Sequence, residues 1–132
     1  MPTNLEIVQA AYAAFGRGDV AGLVQLMAED VEWQNPGPSG IAYFGVHRGP
    51  QAVAKNVFGF LAENFQFEVF EPLEFLSGRD KVVVLLRSEA VVPRTGQRLV
   101  QSLVHVFHLA SGKIVRFQDF QDSYALARAL GA

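Results

Sequence analysis

The hydrophobic period of this chain changes part-way along it. Up to Asn64 the apolar residues recur mostly at helical spacing. Ile7, Ala11 and Phe15 form one line, and Val8, Tyr12 and Phe15 a second. Residues three and four apart share a face, so this predicts an amphipathic first helix. Thr3 followed by Glu6 is a capping box, a reciprocal pair that satisfies two otherwise free backbone N–H groups. Gly16-Arg17-Gly18 ends that helix, and Asp19 predicts the N-cap of a second, shorter one through about Met27. Val31, Trp33 and Asn35 alternate with Glu32 and Gln34, which is the period of a strand. Pro36 to Gly40 is loop, and the loop reads on through Gly45 and Gly49. Pro50 suits the first turn of a third helix, with Val53, Val57 and Leu61 on its apolar side.

After Asn64 the period is two. Phe65, Phe67 and Val69 alternate with Gln66 and Glu68. Long strands are predicted from Val82 to Val92 and from Leu99 to Leu109, and a third from Ile114 to Gln121. Turns at Ser77 to Asp80, Pro93 to Gly96 and Ser111-Gly112 separate them. Asp122-Ser123 predicts the cap of a closing helix through Leu130. Two helices, a strand, a helix and then a run of antiparallel strands predict an α+β fold with the helices against one face of a curved sheet. No repeat or linker interrupts this order, so residues 1–132 read as one domain.

Composition narrows the possibilities. Half of the 132 residues are hydrophobic, enough for a sizeable core. Eleven basic and thirteen acidic residues give a net charge of −2, with no basic footprint for nucleic acid. There is no cysteine, which excludes a disulfide scaffold, a thiol nucleophile and a cysteine-ligated zinc site. His47, His105 and His108 lack a metal-binding spacing, so no metal is expected. No apolar run is long enough to span a membrane, and the N-terminus has no basic region ahead of an apolar one. A cytoplasmic domain is the expectation.

Candidate chemistry follows from the strand faces. Leu103, His105, Phe107 and Leu109 share one face and His108 lies on the other. An imidazole among apolar neighbours can serve as acid or base near neutral pH, or can be a core histidine with a satisfied hydrogen bond. Phe117, Asp119 and Gln121 share a face of the last strand, and a carboxylate beside His105 would make an acid–base or orienting pair. Arg87 and Glu89 share a face opposite Val84, Leu86, Ser88 and Ala90, and read first as an exposed or interfacial ion pair. Asp122 suits a helix cap. Trp33, Asn35, Tyr12 and Tyr43 are candidates to line an apolar cavity, whereas Phe15 and Phe58 read as plain core.

The order of elements, with Tyr12 to Asp19, Leu26 to Trp33, His105 to Leu109 and Gly112 to Phe117, resembles the cone-shaped fold of nuclear transport factor 2, ketosteroid isomerase, limonene epoxide hydrolase and the SnoaL-like polyketide cyclases. That resemblance implies a curved mixed sheet and helices enclosing a cavity, the cystatin-like arrangement. It also implies a small hydrophobic ligand, no cofactor, and a homodimer formed through the outer sheet face. His105 falls where ketosteroid isomerases hold the acid that donates to the oxyanion. Two other key positions of that reaction fall on Ala11 and near Trp33, which disfavours steroid isomerisation. Arg87, Glu89 and Asp119 are similar to the Asp-Arg-Asp triad of limonene epoxide hydrolase, with Asn35 near its water-holding position. Asp122 matches a strand-end aspartate recurrent in SnoaL-like proteins. Three readings follow: acid–base isomerisation, cyclisation or hydrolysis through His105 and Asp119, an epoxide hydrolase through Glu89, Arg87, Asp119 and Asn35, and a non-catalytic binding or interaction module.

Overall fold

The computed structural model describes residues 2–131. Helix α1 (Asn4–Gly16) starts on Thr3, whose side chain accepts from the Glu6 N–H while Glu6 caps Thr3 in return. Helix α2 (Val20–Gln25) is capped by Asp19. Strands β1 (Met27–Asn35) and β2 (Gly45–Arg48) follow. Then α3 (Pro50–Val53), a π-helical stretch Ala54–Gly59 and α4 (Phe60–Asn64) run on as one helical segment. Four strands complete the sheet: β3 (Gln66–Ser77), β4 (Lys81–Val92), β5 (Gln97–Ala110) and β6 (Lys113–Phe120). Helix α5 (Ser123–Ala129) closes the chain.

The six strands are ordered β2-β1-β6-β5-β4-β3. All pairings are antiparallel except β1 with β6, which is parallel and makes the sheet mixed. The alternation in sequence becomes two faces. On β4 the residues Val82, Val84, Leu86, Ser88, Ala90 and Val92 are buried, and Arg87 and Glu89 lie between them on the other face. On β5 the inner row is Leu99, Gln101, Leu103, His105, Phe107 and Leu109. Helix α1 packs Ile7, Val8, Ala11 and Ala14 against this inner side, and Val53, Val57 and Phe58 cover it from the central helical segment. The expected α+β architecture is present.

Three local expectations need correction. Helix α2 stops at Gln25, short of Met27, because the chain there is taken up by the sheet: the Ile114 N–H donates to Leu26 O at 2.9 Å and Met27 pairs with Ile114. The loop expected through Gly45 and Gly49 contains β2, held on β1 with His47 opposite Trp33. The third helix is π-helical in its middle, where Val57 and Phe58 turn inward. Pro72, which has no N–H to give a ladder, sits beside a register shift on the edge strand β3. No helix among the described residues is long and apolar enough to cross a membrane.

Candidate functional site

Between the inner sheet face and the helices lies a cavity of about 80 Å³. Its wall is mostly apolar and aromatic, with Phe15, Trp33, Phe58, Phe67, Phe70, Phe107 and Phe117 all contributing. The polar side chains in the wall are Tyr12, Asn35, Tyr43, Ser88, Gln101, His105 and Gln121. A wider recess of about 380 Å³ shares Tyr12, Phe15, Phe58, Phe67 and Phe70 with it and is also bounded by exposed Gly16, Gly18 and Glu68.

The strand register assembles the polar end. His105 on β5 is the cross-strand partner of Asp119 on β6, so their side chains rise side by side from the same face. His105 Nε2 is 3.3 Å from Asp119 Oδ1, within reach of an ion pair whenever the ring carries a second proton, but off the direction of a hydrogen bond. On the imidazole's other side Tyr12 Oη, carried in by α1, is 2.6 Å from Nδ1. The remaining oxygen of Asp119, Oδ2, accepts from the Tyr43 hydroxyl at 3.1 Å and from Gln121 Nε2. Gln121 Nε2 also donates to Tyr43 Oη at 3.2 Å. Tyr43 is itself anchored, since its carbonyl accepts from Asn35 Nδ2 at 3.2 Å and contacts His47 Nε2 at 2.8 Å. Asp119 is 3% exposed and does not line the cavity; it lies behind His105, Tyr43 and Gln121.

The electrostatics fix the phenols as neutral. Burial raises the Tyr12 pKa far above the usual value for a phenol, and the Asp119 charge raises it further. Tyr43 is raised for the same reasons, burial first and Asp119 second. The protonated Tyr12 is therefore able to donate to Nδ1, which places the proton of a neutral imidazole on Nε2, facing Asp119. The arrangement is a phenol–imidazole–carboxylate chain whose outer end meets an apolar cavity.

Residues 8–117 match the SnoaL-like domain family. This chain belongs to that family. An uncharacterised protein of Mycobacterium tuberculosis (strain H37Rv) is 35% identical to it over 119 residues, covering 89% of this chain and 87% of the other. The crystal structure of an NTF2-like protein from Burkholderia xenovorans LB400 superposes with a TM-score of 0.85 at 32% identity, over 96% of this chain and 95% of that one. TerC, co-crystallised with polyporic acid, superposes with a TM-score of 0.84 at 26% identity, over 98% of each chain.

Within this SnoaL-like domain the sequence-predicted residues divide in two. His105, Tyr12, Tyr43, Asn35 and Trp33 all reach the cavity, with Trp33 stacked on Phe117 at 3.9 Å between ring centres. Asp119 joins them through His105 rather than through the cavity. Arg87 and Glu89 do not come to the site. The apolar even-numbered residues of β4 fill the core, so the odd-numbered ones point outward, where Arg87 binds Glu89 and Arg98 bridges Glu89 and Glu68. The Arg-bridged triad expected from the epoxide hydrolase resemblance is therefore not formed. Asp122 is also outside the cavity wall: its side chain accepts from the Ala125 N–H at 2.9 Å and caps α5. Phe58 is core, as expected, and Phe15 packs against it; both also face the cavity.

Gln121, Gln101 and Ser88 are wall residues that the strand pattern did not single out. Each lies at even spacing from a residue expected in the site or in the inward row, which was the available signal. Among the described residues no group of three or more His, Asp or Glu side chains is placed to hold a metal ion.

Proposed function

We propose that this SnoaL-like domain is a cofactor-free proton-transfer enzyme of the isomerase or cyclase type. Its ligand is a small, largely apolar molecule bearing an oxygen function. The observation that carries the reading is the 2.6 Å contact of Tyr12 Oη with His105 Nδ1, backed by Asp119 on the other side of the ring. With His105 neutral, Tyr12 donates to Nδ1 and presents oxygen lone pairs to the cavity. When His105 gains a proton, Nδ1–H donates to Tyr12 Oη and the phenol turns its own hydrogen toward the ligand. One proton thus reverses the chain of donors. Tyr12 Oη takes the proton from the ligand carbon next to the carbonyl as it gives its own to Nδ1, and returns a proton to the ligand as it takes one back from Nδ1, so it is never a phenolate, in keeping with its raised pKa. Asp119 is a positioning residue that holds the ring and stabilises the imidazolium. The aromatic wall excludes water and strengthens each of these interactions.

The test works without the natural ligand in hand. A panel of cavity-sized enolisable ketones is incubated in D2O, and deuterium entry next to the carbonyl is followed by NMR. Polyporic acid, the co-crystallised ligand of the similar TerC, is added as a binding probe. The wild type should accelerate exchange for some members, and His105→Gln should lose roughly 10²–10⁴ of that acceleration. Compounds that bind the cavity without any accelerated exchange would refute the enzyme reading and leave a binding module.

A further inference from the structure

One polar atom in the cavity wall has no protein partner, and a second polar side chain stands alone in an apolar row of that wall. Asn35 is 1% exposed; its Nδ2 is used on Tyr43 O, but its Oδ1 accepts nothing. Ser88 is 4% exposed and lines the same cavity. Its cross-strand neighbour Gln101 is satisfied elsewhere, bonding the backbone of Asp122 at both ends of its amide. Ser88 is also the one polar side chain in the buried row Val82, Val84, Leu86, Ala90 and Val92. A hydroxyl kept in an apolar row that faces a cavity points to a polar group that meets it there.

The register sets the distance. Val84 pairs with His105 and Ser88 with Gln101, so Ser88 lies four residues along the sheet from the His105 row. At about 3.3 Å per residue that is roughly 13 Å of backbone. Gln34 pairs with Gln118 in the parallel β1–β6 ladder, which puts Asn35 in the His105–Asp119 row. The cavity therefore has one polar station at Tyr12, His105 and Asn35, and another at Ser88, with Leu103 between them on β5.

We propose that Ser88 is a second ligand-binding point, and that the ligand is an elongated ring compound with a hydroxyl at the Asn35 end and a second oxygen at the Ser88 end. The requirement for a hydroxyl follows from Asn35 Oδ1, which can only accept; Ser88 Oγ takes either a donor or an acceptor. The flat aromatic wall favours rings between the two stations. This rests on the cavity being a ligand site, as proposed above.

The experiment compares biphenyl, 4-hydroxybiphenyl and 4,4′-dihydroxybiphenyl, read by quenching of Trp33, the only tryptophan and a wall residue. The wild type should bind the dihydroxy compound roughly three- to tenfold tighter than the monohydroxy one, the range of one net hydrogen bond. Ser88→Ala, which removes only the hydroxyl, should bind the two equally while keeping wild-type affinity for 4-hydroxybiphenyl. Unchanged preference in Ser88→Ala, or no preference in a wild type that binds the monohydroxy probe, overturns the Ser88 assignment alone. Failure of all three probes to bind overturns the ligand-site reading together with it.

Discussion

Replacing Tyr12 by phenylalanine isolates one hydroxyl. The ring keeps its edge contacts with Phe75 and Phe107, at 5.9 and 5.8 Å between centres, so packing is preserved. What disappears is the 2.6 Å bond to His105 Nδ1. Losing it and leaving the imidazole nitrogen short of a partner should cost about 1–2 kcal/mol near neutral pH. For 132 residues, at about 2.1 cal/mol/K of unfolding entropy each, that corresponds to a fall in Tm of about 4–7 °C. The pH dependence is the sharper test. Tyr12 has a raised pKa in the folded protein, while in the unfolded chain it titrates near 10. Below pH 10 both states hold the proton and the wild-type advantage is complete. Above it the unfolded wild type releases the proton and the folded one does not, which favours unfolding by about 1.4 kcal/mol per pH unit. The variant has no such proton. Tyr43, Tyr124 and the lysines are common to both proteins and cancel in the difference. The gap between Tyr12→Phe and wild type should therefore shrink by about 1.4 kcal/mol at pH 11 and close or reverse near pH 11.5. Urea denaturation of both proteins from pH 8 to 11.5 measures it. A gap that stays constant over that range would refute the burial-and-charge account of this phenol.

Two further substitutions separate the outer face and the helix cap from the site. Arg87→Ala with Glu89→Ala removes a partly exposed ion pair, so unfolding free energy should change by less than about 1 kcal/mol and deuterium exchange in the ketone assay not at all; a large loss of exchange would put those residues back into the chemistry. Asp122→Ala removes the N-cap of α5 and should lower stability by about 1 kcal/mol in urea, with exchange per folded molecule unchanged.

The sequence carried the faces of the strands well and the relations between strands poorly. Period two put His105, Asp119, Trp33 and Asn35 on faces that proved to be inward, because an apolar row is buried whichever neighbour it meets. The same rule separates Arg87 and Glu89 from the row of Val82, Val84 and Leu86, and the epoxide hydrolase resemblance pulled against it. Register is a property of two strands at once, so the direct opposition of His105 and Asp119 became visible only in the pairing. Strand β2 was hidden because it is short, flanked by glycines, and buries only His47. The π-helical stretch has no compositional mark, since Val57, Phe58 and Leu61 fit an α-helical stripe as well. Tyr43 reaches Asp119 from a loop, where no period predicts direction.

The parallel pairing of β1 with β6 has a consequence for how this protein comes into being. The contacts that define the site join residues far apart in the chain: 93 positions separate Tyr12 from His105, and 76 separate Tyr43 from Asp119. The β3–β4–β5–β6 meander closes through neighbouring segments, but Asn35 and Tyr43 enter only when the early strand docks beside the last one. Long-range closures of this kind are the slow, entropically expensive part of folding. A chain emerging from synthesis therefore carries Tyr12, Asn35 and Tyr43 well before it has His105 and Asp119 to join them to. The cluster has no half-built form: its side chains come together only when the early strand has docked beside the last one.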